Sequence, residues 1–178
     1  MATTEKKSMW KIRFFAVWHE GREVLWLKSM SAKGWHLKRV GFLLYEFEQG
    51  EPHDYEYALD FRVEARTDMQ EYRGLIEDSG WQYIGHMAGW QYFRIEANKA
   101  AGAEIYSDAE SLIGKYRRVL AILSLSALPL FVLFLNGALN RPALTGTPII
   151  YVIYAIMALM VYSILRVLLL IYRKPQHR

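Results

Sequence analysis

The chain is patterned in two regimes that change over near residue 118. Before that point, apolar residues recur at short, regular intervals. Beyond it they run almost without interruption. The clearest local signal lies at Tyr55, Tyr57, Leu59, Phe61 and Val63, which alternate with Glu56, Ala58, Asp60 and Arg62. A two-residue period of this kind predicts a half-buried strand. Trp10–Val17, Trp35–Val40, Phe42–Glu48, Trp81–Met87 and Trp90–Ile95 are aromatic and β-branched and read as further strands. Val24, Leu27 and Met30 fall at three-residue spacing within Glu20–Lys33 and predict an amphipathic helix, stopped by Gly34 in the role of a left-handed cap. Thr67-Asp68-Met69-Gln70 has the form of a capping box opening a second helix. Met69, Tyr72, Leu75 and Ile76 lie on one face of it, and Gly80 ends it. Ser107-Asp108-Ala109-Glu110 has the same form and opens a third helix, which continues through Leu112, Ile113, Tyr116, Val119 and Leu120 into the apolar region.

These elements repeat. Gly34-Trp35 and Gly80-Trp81 are 46 residues apart, and each pair follows a helix and precedes two strands. A twice-repeated βαββ unit implies an α+β fold: a duplicated ferredoxin-like domain, with helices on one face of an antiparallel sheet. Trp35 and Trp81, placed behind helix-ending glycines, are expected in the core.

The apolar region reads as a two-helix transmembrane hairpin. Val119–Leu139 carries no charge over 21 residues, and at about 1.5 Å per residue it matches a hydrocarbon core of about 30 Å. Pro129 in its middle should kink it. Pro148–Tyr172 is the second run, interrupted by Arg166 alone. The expected organisation is a disordered N-terminus (1–9), a soluble α+β domain (10–104), a linker helix (105–118), a first span (119–139), a loop (140–147), a second span (148–172) and a basic tail (173–178). Lys115, Arg117 and Arg118 precede the first span, and Arg173, Lys174 and Arg178 follow the second. The loop holds only Arg141. The positive-inside rule then predicts a multi-pass cell-membrane protein with both termini, and the soluble domain, in the cytosol.

Charge changes one conclusion. The sequence pI near 9.2 suggests a nucleic-acid binder, but residues 1–118 hold 17 Lys+Arg against all 18 Asp+Glu, a balance of 17 − 18 = −1. The basic excess lies in the membrane flanks, so the folded domain lacks the net positive charge that phosphate neutralisation asks for. The absence of cysteine excludes disulfides, thiolate nucleophiles and Cys-type zinc sites. The five histidines are scattered, with no metal spacing among them, and no P-loop, GxGxxG or GxSxG is present. No catalytic residue, metal or cofactor is therefore expected. His53, Asp54 and Asp60 would become a candidate catalytic group only if they met in one pocket. Glu46 and Glu48 share a strand face and read as solvent-facing charges. The aromatic residues Trp26, Trp90 and Tyr92 are the candidate ligand or partner surface. Arg166 is the candidate functional residue within the bilayer, against the simpler reading that its long side chain snorkels to the headgroups.

Several of these motifs together resemble a bacterial family known only as domain of unknown function 2812. They are Trp26-Leu27 with Met30 and Lys33-Gly34-Trp35; Phe47-Glu48-Gln49-Gly50-Glu51-Pro52; Tyr57 with Asp60; Gly80-Trp81; Trp90-Gln91-Tyr92-Phe93-Arg94; and Ile105-Tyr106-Ser107-Asp108 with Ser111 and Lys115. The resemblance covers residues 10–118. It implies a membrane-anchored protein whose soluble domain continues into two hydrophobic segments. It brings no established activity. The frequent neighbourhood of such proteins to PadR-like regulators implies a signalling or envelope-response setting.

The expected function is a cytosolic regulatory or protein-interaction domain fixed to the bilayer, with a cytosolic or membrane protein as partner, no nucleic acid and no catalysis. The alternative is an accessory subunit or sensor acting within the bilayer, in transport or membrane stress.

Overall fold

The computed structural model describes residues 7–63, 65–101, 105, 109–140 and 148–173, and the chain divides into two compact units, 1–107 and 108–178. The first unit is two βαββ copies. Copy one comprises β1 (Ser8–Ile12), α1 (Glu20–Ser31), β2 (Trp35–Val40) and β3 (Leu44–Gln49). Copy two comprises β4 (Tyr55–Phe61), α2 (Arg66–Asp78), β5 (Gln82–Met87) and β6 (Trp90–Glu96). Each copy folds as its own three-stranded antiparallel sheet, in the orders β1-β3-β2 and β4-β6-β5. In each, the third strand inserts between the two that the helix connects.

The repeat is deeper than the sequence motif that announced it. Both sheets carry a register shift in their second strand, between Leu37 and Arg39 and between Tyr83 and Gly85. These positions are again 46 apart (83 − 37 and 85 − 39). So are Phe47 and Phe93 (93 − 47), each fully buried in its own core. A bulge twists a strand away from straight pairing and blunts an exposed edge. Here the bulged strands β2 and β5 are the edges that lie against each other.

The two helices serve different layers. Leu27 and Met30 of α1 pack with Leu37, Val40, Tyr45 and Phe47 of the first sheet, and also with Tyr57, Leu59 and Tyr92 of the second. Met69 and Tyr72 of α2 pack with Trp81, Phe93 and Ile95 on the opposite face of the second sheet. The second sheet is thus covered on both faces, which is why Gln91, Tyr92 and Phe93 of β6 are buried in succession rather than at alternate positions. Trp81 is buried and Trp35 packs partly buried against the first core.

Gly34 and Gly80 adopt φ of +79° and +91°. Both therefore occupy the left-handed region that favours glycine. At Gly34 a side chain is also excluded by contact, since a Cβ there would meet the Gly50 carbonyl oxygen at 2.5 Å.

Local details differ from the sequence expectation: β3 starts at Leu44 instead of Phe42, and β5 at Gln82 instead of Trp81. β1 begins at Ser8, inside the segment expected to be disordered, and ends at Ile12 instead of Val17. Its pairing with β3 runs out there, and Phe15 turns inward onto Trp26 and Tyr45. The second helix starts at Arg66, with Ala65 as its cap and the Met69 amide donating to the Ala65 carbonyl. Thr67 is consequently within the first turn, where its hydroxyl donates to Asp68 instead of capping. Glu46 is buried and ion-pairs with Arg39 at 3.1 Å, while Glu48 pairs with Lys38 at 3.3 Å.

The second unit is a pair of contacting helices, α3 (Ala109–Asn140) and α4 (Pro148–Arg173). The 32 residues of α3 correspond to about 48 Å, and the helix runs on through Pro129. Ile113–Leu135 and Ile150–Tyr172 are long and apolar enough to cross a membrane, with mean hydropathy 2.3, and an 18-residue apolar stretch within each is only 6% buried. The polar half of the capping box at Ser107-Asp108, the loop at 141–147 and the tail at 174–178 lie outside the described residues.

Candidate functional site

Glu23 lies one turn before Leu27 on the inward face of α1, and it is buried. Tyr45 from β3 and Tyr92 from β6 donate to the same carboxylate oxygen, Oε1, at 2.8 and 2.7 Å. The three groups come from α1 and from both sheets, so the cluster joins the two copies. Burial pushes the Glu23 carboxyl above its usual range. The two tyrosine hydrogen bonds oppose that shift, and the neighbouring Glu20 charge adds to it. Burial and the nearby Glu23 charge push both phenols well upward, so they remain protonated donors.

This cluster borders a cavity of about 50 Å³ lined by Glu20, Glu23, Tyr45, Phe15, Met87 and Trp90, among others. It has room for a few waters or a small polar group. Two carboxylates, Glu20 and Glu23, among four aromatic rings, Phe15, Tyr45, Trp90 and Tyr92, form a setting suited to a cationic or amine group.

Of the aromatic residues singled out in the sequence, Tyr92 and Trp90 both line this cavity. Trp26 stands beside it, with its ring edge-on to Tyr45 at 4.9 Å and the Arg13 guanidinium 4.9 Å from its centroid. The structure therefore brings the three into one neighbourhood, around an acid that the sequence reading passed over. His53, Asp54 and Asp60 do not meet. The first two flank the start of β4, Asp60 lies near its far end, and Asp60 accepts the Tyr72 hydroxyl at 2.6 Å. Arg166 is half-buried on α4, its guanidinium 6.0 Å from the Tyr162 ring one turn earlier. Among the described residues no group of three or more His, Asp or Glu is placed to hold a metal.

A family model described as protein of unknown function (DUF2812) matches residues 19–128, which is 110 of the 178 residues. The chain belongs to that family. The DUF2812 match takes in α1, both sheets apart from β1, and α2. It then continues past Lys115, Arg117 and Arg118 into the apolar part of α3. The Glu23 cluster thus lies wholly within the DUF2812 region, as do Trp26, Trp90 and Tyr92, whereas Arg166 lies outside it. No curated protein and no solved structure matches this DUF2812 chain.

Proposed function

We propose that this chain is a membrane-attached binding module, with a cytosolic soluble domain that takes a ligand or partner and serves regulation rather than catalysis. The observation that carries the reading is the contrast between its two units. The first gathers its buried apolar side chains into two cores and leaves others, among them Ile12, Phe14 and Phe42, at its surface. In the second, an 18-residue apolar stretch of each long helix is only 6% buried. A core helix of a soluble protein is covered by its neighbours, whereas an uncovered apolar helix of this length is stable in hydrocarbon. The six-to-one distribution of basic residues around the spans supports the cytosolic side. The cavity at Glu23 supports binding, and a small cationic group is the ligand chemistry it suits.

The test is single-cysteine labelling in a chain that has no native cysteine. Cysteines at Ser8, Gly21, Thr145 and Gln176 are probed with an impermeant reagent on intact cells. Labelling at 145 alone is the expected result. Labelling at 8, 21 and 176 but not 145 overturns the cytosolic assignment, and loss of the protein from the membrane fraction on alkaline extraction overturns membrane insertion.

A second reading, a role within the bilayer, draws on Arg166, whose charge lies inside an otherwise apolar stretch. Arg166→Leu tests it. Unchanged membrane content and unchanged cellular phenotype would remove the one residue that motivates it.

A further inference from the structure

Counting along the repeat brings out two cavities at equivalent places. Adding 46 to Ala16, Val17, Glu20, Glu23 and Tyr45 gives Arg62, Val63, Arg66, Met69 and Gln91. The first five line the cavity at Glu23, and the second five line a cavity of about 520 Å³ in copy two. The first is small and acidic. The second is roomy enough for a metabolite-sized ligand and basic, for Arg73 and His86 line it as well.

The inversion reaches the core. Leu27 and Tyr45 are buried in the same core in copy one, and their counterparts are Arg73 and Gln91. Gln91 is 2% exposed, and its Oε1 accepts from both Nε and Nη2 of Arg73 at 3.2 and 2.8 Å. The guanidinium also lies 4.2 Å from the centre of the Tyr83 ring. A buried amide and an aromatic face hold this arginine in place without neutralising its charge. Arg62 is fixed across the Tyr72 ring at 4.2 Å and lies 3.5 Å from Asp60. Arg66 is exposed at the start of α2, with Asp68 in the same turn. Glu64 lies outside the described residues.

We propose that this second cavity is a binding site for a small multivalent oxyanion, bearing phosphate or carboxylate groups, clasped by Arg62, Arg66 and Arg73. Guanidinium groups fixed in direction match such groups with paired, charge-assisted hydrogen bonds. Orienting the arginine beforehand removes much of the ordering cost that a free surface side chain incurs on binding. A purely structural role is a weaker account, because copy one has Leu27 where Arg73 stands and needs no cation at that position.

Two arms test the site in the full-length chain. In the first, protein in neutral detergent is titrated calorimetrically with inorganic pyrophosphate. In the second, protein in nanodiscs containing phosphatidic acid, without soluble phosphate, is compared with phosphatidylcholine nanodiscs by amide exchange over residues 61–75 and 86–91. The expected result is saturable pyrophosphate binding that weakens roughly tenfold or more in both Arg66→Gln and Arg73→Gln. Arg22→Gln, the same charge change on the exposed part of α1, should leave it unaltered. Arg66→Gln alters an exposed side chain, so it remains informative if Arg73→Gln misfolds. Protection by phosphatidic acid alone, abolished by the same variants, assigns the oxyanion to a lipid headgroup. Absence of both responses, or responses indifferent to Arg66 and Arg73, overturns the proposal.

Discussion

Tyr45 and Tyr92, from the central strands of different sheets, place their hydroxyls on a single oxygen of Glu23, at 2.8 and 2.7 Å. Because both donors converge on one acceptor, their contributions should be coupled. Tyr92→Phe and Tyr45→Phe are each expected to destabilise the domain by about 1–3 kcal/mol, as buried hydrogen bonds to a carboxyl group do. The double variant should depart from the sum of the two. A double-mutant cycle in urea on the full chain measures this, and strict additivity would show that the two hydrogen bonds to Glu23 act independently of each other.

Glu23 also gives stability a pH dependence of definite sign. Its folded-state carboxyl is held above the ordinary range, chiefly by burial. Between the unfolded and folded values the native state binds the extra proton, so stability from this group is full below the ordinary carboxylate range. It is lost as pH rises through the raised value. Glu23→Gln keeps an acceptor for both phenols and carries no charge. The thermal midpoint of the variant should fall less than that of the wild type as pH is raised across that window.

Gly34 and Gly80 separate two costs that usually come together. Alanine at either position must adopt the left-handed region, at about 1–2 kcal/mol. At Gly80 the nearest atom to a new Cβ is the Ile95 Cδ1 at 3.5 Å, an ordinary contact, while at Gly34 it is a backbone oxygen at 2.5 Å. Gly34→Ala should therefore destabilise clearly more than Gly80→Ala in chemical denaturation. Equal losses would mean that the turn at Gly50 yields.

A chain truncated after Ser107 retains both cores, including Ile105 against the second. It should remain in the supernatant after high-speed centrifugation and show native α+β circular dichroism. Pelleting of the truncated chain would count against the first unit being self-sufficient.

Much of this architecture is legible in the sequence, because helices, glycine exits and strands each have a period or a stop signal. The 46-residue spacing of Gly34-Trp35 and Gly80-Trp81 was enough to recognise a duplication. Sequence could not assign each copy its own sheet, since that depends on which strand edges find each other. Trp10–Val17 has strand composition throughout, yet pairing stops at Ile12, where its partner strand ends. Glu23 escapes the sequence pattern because the apolar stripe reads as Val24, Leu27 and Met30. A visible signal existed, since Glu23, Leu27 and Met30 stand at i, i+4 and i+7, placing an acid on the face that is most buried. Aligning the copies to each other would likewise have shown Leu27 against Arg73 and Tyr45 against Gln91, an exchange that composition averages away.

The way the copies share α1 has a consequence for descent. A lone βαββ unit would leave the cage around Glu23 without one of its two tyrosines. It would also present a bulged strand edge with nothing beside it. The smallest self-sufficient form of this fold is therefore a pair of units. Descent from a single unit would therefore need a second unit to supply Tyr92 and to cover the β2 edge, and because α1 packs against both sheets while α2 packs on the second alone, the two units are not interchangeable.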